Sequence, residues 1–138
     1  MYTADTYYSG GSTYAVSDAI AGTVDDTLYQ TQRYGNGFDF SYNIPVVNGE
    51  YHITLKFAEL YYDNIGDQVF SVSIEGIPAI IDLDVLEQKG KFEAYDRTLP
   101  VTVSDGEINI DFTSTTDSAV CAILVTSLTA VDVDITDS

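Results

Sequence analysis

Tyrosine is the residue type with most to offer chemically in this chain. Eleven tyrosines and no tryptophan occur among 138 residues, and ten of the eleven precede residue 63. Tyrosine joins a flat apolar ring to a hydroxyl, so it can cover the C–H face of a sugar while bonding the sugar's edge. Two consecutive pairs stand where strands should end: Tyr7 and Tyr8 in "TYYSGG", Tyr61 and Tyr62 in "FAELYYDN". Neighbours on a strand face opposite ways, so at least one ring of each pair should face a loop or solvent. Either these rings form a platform for a sugar, or they cap the ends of a β-sandwich.

Groups for catalysis or soft-metal binding are few. The chain has one histidine, His52, and one cysteine, Cys121, and nothing in the sequence links them. A lone cysteine excludes an internal disulfide, and Cys121 lies in the apolar run "SAVCAILVTSL", where it reads as a small buried hydrophobe. His52 also reads as structural packing. No GxSxG, HExxH or glycine-rich phosphate loop is present, and carboxylates are so common that no acid–base pair is singled out. The chain is therefore read as non-enzymatic. Calcium needs only oxygen ligands, which Asp82 and Asp84 in "DLDVLE" or Asp132, Asp134 and Asp137 in "DVDITD" would supply. Neither stretch carries EF-hand spacing, and alternating acids on a strand more often form a solvated face. No cofactor is expected, with calcium the one cation these residues permit.

Twenty-two acidic residues against five basic give a net charge of −17, and sixteen of the acids are aspartate. Such a surface repels phosphate backbones and anionic lipid, which argues against nucleic acid or membrane as partners. The acids are spread along the whole chain rather than blocked into a tail. A dense carboxylate surface suits high salt, where screening relieves self-repulsion, and points to a halophilic or marine prokaryote. No apolar run approaches the roughly 20 residues of a membrane helix. The start "MYTADTYYSG" lacks a basic region followed by an apolar stretch, so no signal peptide is expected; a domain of a larger secreted or cell-surface protein fits.

The elements that must position the tyrosines read as strands. In "EYHITLKFAEL", Tyr51, Ile53, Leu55 and Phe57 share one face, with His52, Thr54 and Lys56 on the other. "EINIDFT", "QVFSVSIEG" and "LPVTVSDG" alternate similarly, and "AVCAILVTSL" is apolar on both faces, as in a strand buried mid-sandwich. The Asn-Gly and Asp-Gly pairs of "VVNGEY" and "SDGE" predict hairpins. No stretch repeats convincingly at helical spacing. These patterns predict an all-β protein, an antiparallel β-sandwich, with one domain over 1–131 and an acidic tail, last strand or linker over 132–138.

In order along the chain stand "DDTLYQTQRYG", "FSYNIPVVNGEYHITLKFAELYY", "VFSVSIEG", "IDLDVLE", "KFEAYDR", "DGEINIDF" and "AVCAILV". From about Ala4 to Ser127 this resembles the malectin and malectin-like carbohydrate-binding family, most specifically in "LYQT-Q/E-RYG" and "FAE-x-YY/F". The resemblance implies a jelly-roll sandwich, malectin-like and galactose-binding-like. It also implies non-catalytic binding of glucose-type oligosaccharides or polysaccharides through aromatic rings and an aspartate. Carried over, the ring closing "QTQRY" is Tyr34. The pair after "FAEL" is Tyr61 and Tyr62, the second being Phe in malectin. The aspartate before the "VCA" strand is Asp117, in a loop one residue shorter here. A tyrosine of the N-terminal loop is assigned to Tyr8, with Tyr7 or Tyr14 as alternatives. Glu59 is expected to support a loop from beneath, and Phe38, Phe40 and Tyr42 to pack within the sandwich. The family's "NAGG"-type strand ahead of "YTAD" is missing. That leaves a sheet edge for "AVDVDITDS" or another chain to cover, and allows homo-oligomers through it. The competing reading is a structural or adhesion sandwich that mediates protein contacts without sugar affinity.

Overall fold

The computed structural model describes residues 2–128. Alternation becomes two faces wherever a strand lies on the core. In β5 (Gly49–Phe57), Tyr51, Ile53, Leu55 and Phe57 are buried while His52 faces solvent. β9 (Glu107–Thr113) buries Ile108, Ile110 and Phe112, and β6 (Phe70–Ile74) buries Phe70, Val72 and Ile74. His52 is thus an outward-facing strand residue, not a packed one.

Antiparallel strands build the two layers. One sheet runs β1 (Tyr8–Ser9), β4 (Phe40–Pro45), β9, β6 and β7 (Ile77–Leu83). The other layer holds β11 (Ala122–Ser127), β5 and β8 (Tyr95–Val103), beside β10 (Ala119–Val120), β3 (Thr31–Tyr34) and β2 (Ser12–Ala15). Only Cys121 separates β10 from β11. Across it the chain passes from pairing with β3, Val120 opposite Arg33, to pairing with β5, Ala122 opposite Lys56. The stretch read as one strand buried mid-sandwich is therefore two, and β11 lies at a sheet edge. Two short helices, α1 (Asp26–Tyr29) and α2 (Val85–Lys89), complete the elements, and no helix among the described residues could cross a membrane.

Ile53, Leu55 and Phe57 pack against Phe70, Val72, Ile110 and Phe112 across the sandwich, and Phe40 stacks on Phe112 with centroids 4.5 Å apart and planes at 8°. Phe40 and Tyr42 are core residues, but Phe38 is 76 % exposed, because it falls in the turn before β4 begins. A second, smaller cluster of Ile20, Tyr29, Ala58 and Leu60 lies beyond the end of β5, with Tyr14 packed on it.

The turns depart from the hairpin expectation. Asn48–Gly49 and Asp105–Gly106 join strands of opposite layers, β4 to β5 and β8 to β9, so neither closes a hairpin. They are stitched together instead: Gly106 N–H donates to Asn48 Oδ1 at 2.8 Å, and Asn48 Nδ2 donates to the Ser104 carbonyl at 3.2 Å. The turn that pairs its flanking strands is Glu75–Gly76 between β6 and β7, with φ of 54° and 76°. Those values are the left-handed pair that a type I′ turn requires.

Phe112 is wholly buried at the centre of this packing. Phe112→Ala should cost about 3–5 kcal/mol of unfolding free energy, read as a lower urea midpoint; a loss below about 1 kcal/mol would contradict the described core.

Candidate functional site

β5 delivers the chain into "FAELYYDN" at one end of the sandwich. Glu59 stands there almost fully buried, and its Oε2 accepts the Tyr61 and Tyr62 backbone N–H groups at 3.1 Å each. Its main-chain carbonyl accepts the Phe92 N–H at 3.0 Å. The segment carrying both tyrosines is thus held from beneath through its own backbone, as read from the sequence. Glu59 Oε1 has no partner, and burial raises the carboxyl pKa above 4.5 even though the Tyr62 and Tyr61 N–H bonds oppose that shift.

Asp117 lies 6 % exposed ahead of β10. Its Oδ1 accepts N–H bonds from Asn36 and Ser118, both at 2.9 Å, and its Oδ2 accepts the Tyr62 hydroxyl at 2.9 Å. Burial, then Asp117, pushes the Tyr62 phenol well above its usual range, so it stays a donor to this carboxylate. The turn after β3 closes on the same point: Gly35 N–H donates to the Ser118 carbonyl at 2.9 Å. Asn36 and Gly37 are both left-handed, with φ of 53° and 83°. A side chain at Gly35 would collide with the Phe38 carbonyl, so only glycine fits there.

The rings meet edge to face. Tyr61 and Tyr62 have centroids 5.0 Å apart at 86°; Tyr14 touches Tyr61 at 5.5 Å and 90°, and Tyr34 at 6.5 Å and 84°. Tyr61 is 58 % exposed, whereas Tyr14, Tyr34 and Tyr62 are half-buried. The structure therefore brings Tyr34, Tyr61, Tyr62 and Asp117 together, with Tyr14 joining Tyr34 to the pair. Tyr8 is placed differently. Its ring lies under the Arg33 guanidinium at 3.5 Å, and no ring contact links it to the four others. At the rim, Lys91 Nζ pairs with Asp63 Oδ1 at 2.6 Å.

The sequence pattern of the malectin domain matches residues 1–130. This chain belongs to the malectin domain family. It is 38 % identical to Malectin-B of Xenopus laevis over 87 residues, covering 62 % of this chain and 31 % of that protein. The chain thus spans about a third of the length of the curated relatives it matches. Among solved structures, β-glucuronidase 2 of Bacteroides uniformis, covalently bound to cyclophellitol-6-carboxylate aziridine, superposes with a TM-score of 0.76 at 26 % identity. The superposition covers 92 % of this chain and 15 % of that one. The ANXUR1 extracellular domain of Arabidopsis thaliana shares the fold, with a TM-score of 0.76 at 20 % identity over 85 % of this chain and 38 % of that one.

The remaining sequence candidates hold other places in this malectin domain. Asp84 is 5 % exposed and caps α2: its Oδ1 accepts Glu87 N–H at 3.2 Å and its Oδ2 accepts Gly66 N–H at 2.7 Å. Asp82 is exposed, and Asp132, Asp134 and Asp137 lie outside the described residues. Among the described residues no three His, Cys, Asp or Glu side chains gather as a metal set. Cys121 is half-buried, with Sγ 3.7 Å from the Tyr29 carbonyl, and burial pushes its thiol up to about 12, an inert packing group. Asn36 escaped the sequence reading, since its contribution is a main-chain N–H that no side-chain pattern reports.

Two outcomes follow from this geometry. The folded protein holds the Glu59 proton more tightly than the unfolded chain, so that contribution to stability is full below 4.5 and is lost as pH rises through the raised folded value. Glu59→Gln should therefore lose less stability than wild type over that window in urea titrations; equal slopes would refute the assignment. Tyr62→Phe keeps the ring and removes one bond to the carboxylate, for an expected loss of about 1–3 kcal/mol, measurable by the same denaturation.

Proposed function

We propose that this malectin domain is a non-catalytic carbohydrate-binding module for glucose-type oligosaccharides. The observation that carries the reading is the run of four tyrosine rings in edge contact, ending on a hydroxyl held by Asp117. Successive rings turn by close to a right angle, so the cluster offers ring faces for apolar sugar C–H groups beside phenol hydroxyls for sugar oxygens. Tyr34, Tyr61 and Tyr62 supply the surface together with Tyr14. Asp117 orients Tyr62 and the Asn36 turn, and its Oδ2 has a lone pair for a sugar hydroxyl, a stronger acceptor for being charged. Tyr8, its ring under the Arg33 guanidinium, would act through Arg33 rather than through the ring cluster.

We read the chain as one domain of a larger secreted or cell-surface protein, with 1–131 as the binding domain and 132–138 as an acidic tail, last strand or linker; the match over about a third of its relatives' length is in keeping with a domain of something longer. In that setting the module holds its parent protein on polysaccharide, and chemistry belongs elsewhere.

Calorimetric titration with glucose disaccharides and longer glucans, in low and high salt, tests the proposal. Tyr14→Ala, Tyr61→Ala and Asp117→Ala should each weaken binding tenfold or more, about 1.4 kcal/mol, while remaining folded; Tyr8→Ala should weaken it less. A folded wild-type protein that binds none of these sugars would refute the proposal.

A further inference from the structure

A carboxylate has about four lone-pair sites. At Asp117, Oδ1 accepts N–H bonds from Asn36 and Ser118, and Oδ2 accepts the Tyr62 hydroxyl, each at 2.9 Å. One site on Oδ2 is left. Tyr62 has a single O–H, already given to this carboxylate, so its oxygen has only lone pairs to offer a ligand. A bond to a charged acceptor is roughly twice as strong as a neutral one, which keeps the proton directed at Asp117. Burial, then Asp117, raises the Tyr62 pKa, in keeping with a phenol that stays protonated. The other rings differ. Among the described residues no hydrogen bond fixes the Tyr14, Tyr34 or Tyr61 hydroxyl, so each turns to donate or accept as a ligand requires.

Two acceptors thus stand side by side, Asp117 Oδ2 and Tyr62 Oη, 2.9 Å apart. Hydroxyl oxygens on adjacent carbons of a sugar ring are separated by a similar distance, so two such hydroxyls can donate to the pair at once. Neither protein oxygen has a proton to return. The nearest cation at the rim, Lys91, is itself committed to Asp63 at 2.6 Å. This end of the ring cluster therefore reads protons on the ligand and gives none.

We propose that Tyr62 is a specificity-determining residue of the tyrosine site: its oxygen and Asp117 Oδ2 together accept two hydroxyls on adjacent carbons of one sugar ring. The inference rests on the carbohydrate reading above and adds the ligand class, a sugar with two neighbouring unsubstituted hydroxyls. An ether or a deoxy carbon at either position leaves an acceptor unfilled, and a site built to bond a hydroxyl rejects the analogue that lacks it. A sulfate or phosphate ester there brings like charge against the carboxylate. Asp117 alone does not read both hydroxyls, because main-chain N–H groups hold Oδ1 and the phenol holds half of Oδ2.

The test titrates the whole chain calorimetrically with maltose, cellobiose and laminaribiose. Each is also used with one hydroxyl of the non-reducing ring replaced, at successive carbons, by hydrogen or by fluorine. In the wild type, replacement at two adjacent carbons should weaken binding about threefold to tenfold each. Fluorine should be as damaging as hydrogen, since it can only accept. In Tyr62→Phe one of those two replacements should cost less than about twofold, while the other keeps its effect. In wild-type NMR spectra the Tyr62 O–H proton, assigned through its own ring protons, should remain hydrogen-bonded at saturation with sugar; with the fluorine series, it decides the matter even if Tyr62→Phe does not fold. Fluorine that restores binding makes Tyr62 a donor to the sugar and overturns the proposal, as does loss of the bonded O–H signal. Penalties at carbons that are not neighbours, or equal penalties in Tyr62→Phe and wild type, overturn it too. Each of those results leaves sugar binding standing. A folded wild type that binds none of the unmodified sugars refutes the carbohydrate reading itself, and this inference with it.

Discussion

Asp117 is the point on which the tyrosine end of the molecule depends. A nearly buried carboxylate is expensive to remove from water unless donors replace the solvent. Here they come from three separate parts of the chain: the Asn36 turn after β3, the start of β10, and the Tyr62 hydroxyl beyond β5. The same group that satisfies a buried acid thereby fixes how far apart two loops stand. Glu59 does a similar task one layer down, turning the "FAELYY" backbone outward through two N–H bonds. The Tyr61 and Tyr62 backbones are thus set by a carboxylate beneath, whereas Tyr14 and Tyr34 are set by the β2–β3 ladder.

That reliance on acids fits the charge of the whole protein. With 22 acidic residues and five basic ones, most carboxylates have no cation to pair with. Among the described residues, ion pairs join Arg33, Lys56 and Lys91 to Asp5, Asp96 and Asp63. The buried acids Glu59, Asp84 and Asp117 are answered by neutral N–H and O–H donors instead, at a helix cap, a loop and a turn. Bonds of this kind are less exposed to salt than surface ion pairs. The fold's critical polar contacts are therefore short-range and sheltered, while the remaining charge stays on the surface.

The sandwich separates an aromatic end from a strand edge. At the end of β5, polar anchors hold aromatic rings outward, which suits a ligand with both apolar faces and hydroxyls. Along β11, the change of pairing partner at Cys121 puts the strand at the side of its sheet among the described residues, beside apolar side chains. Both arise from the same stretch, residues 117–127, whose first residues close the tyrosine site and whose last form the edge.

The sequence alone settled what faces inward. In β5, β6 and β9 the period-2 pattern names the buried residues correctly, because a strand on a core has only two faces and apolar side chains must take one. The motifs around "QTQRYG" and "FAELYY" were likewise enough to place the chain in its family. What the sequence could not decide was which distant pieces meet. Asn-Gly and Asp-Gly promise tight turns, but whether their flanking strands pair depends on which layer each strand joins, and both turns cross between layers. Phe38 looks like its neighbours in an aromatic run, yet it falls one turn short of the strand. Tyr14 and Tyr8 are equivalent by composition; only the pairing of β2 with β3 puts Tyr14 against Tyr34 and Tyr61, while β1, paired with β4, leaves Tyr8 on Arg33. Contacts such as Tyr62 to Asp117 span 55 residues, a separation that no local period can report.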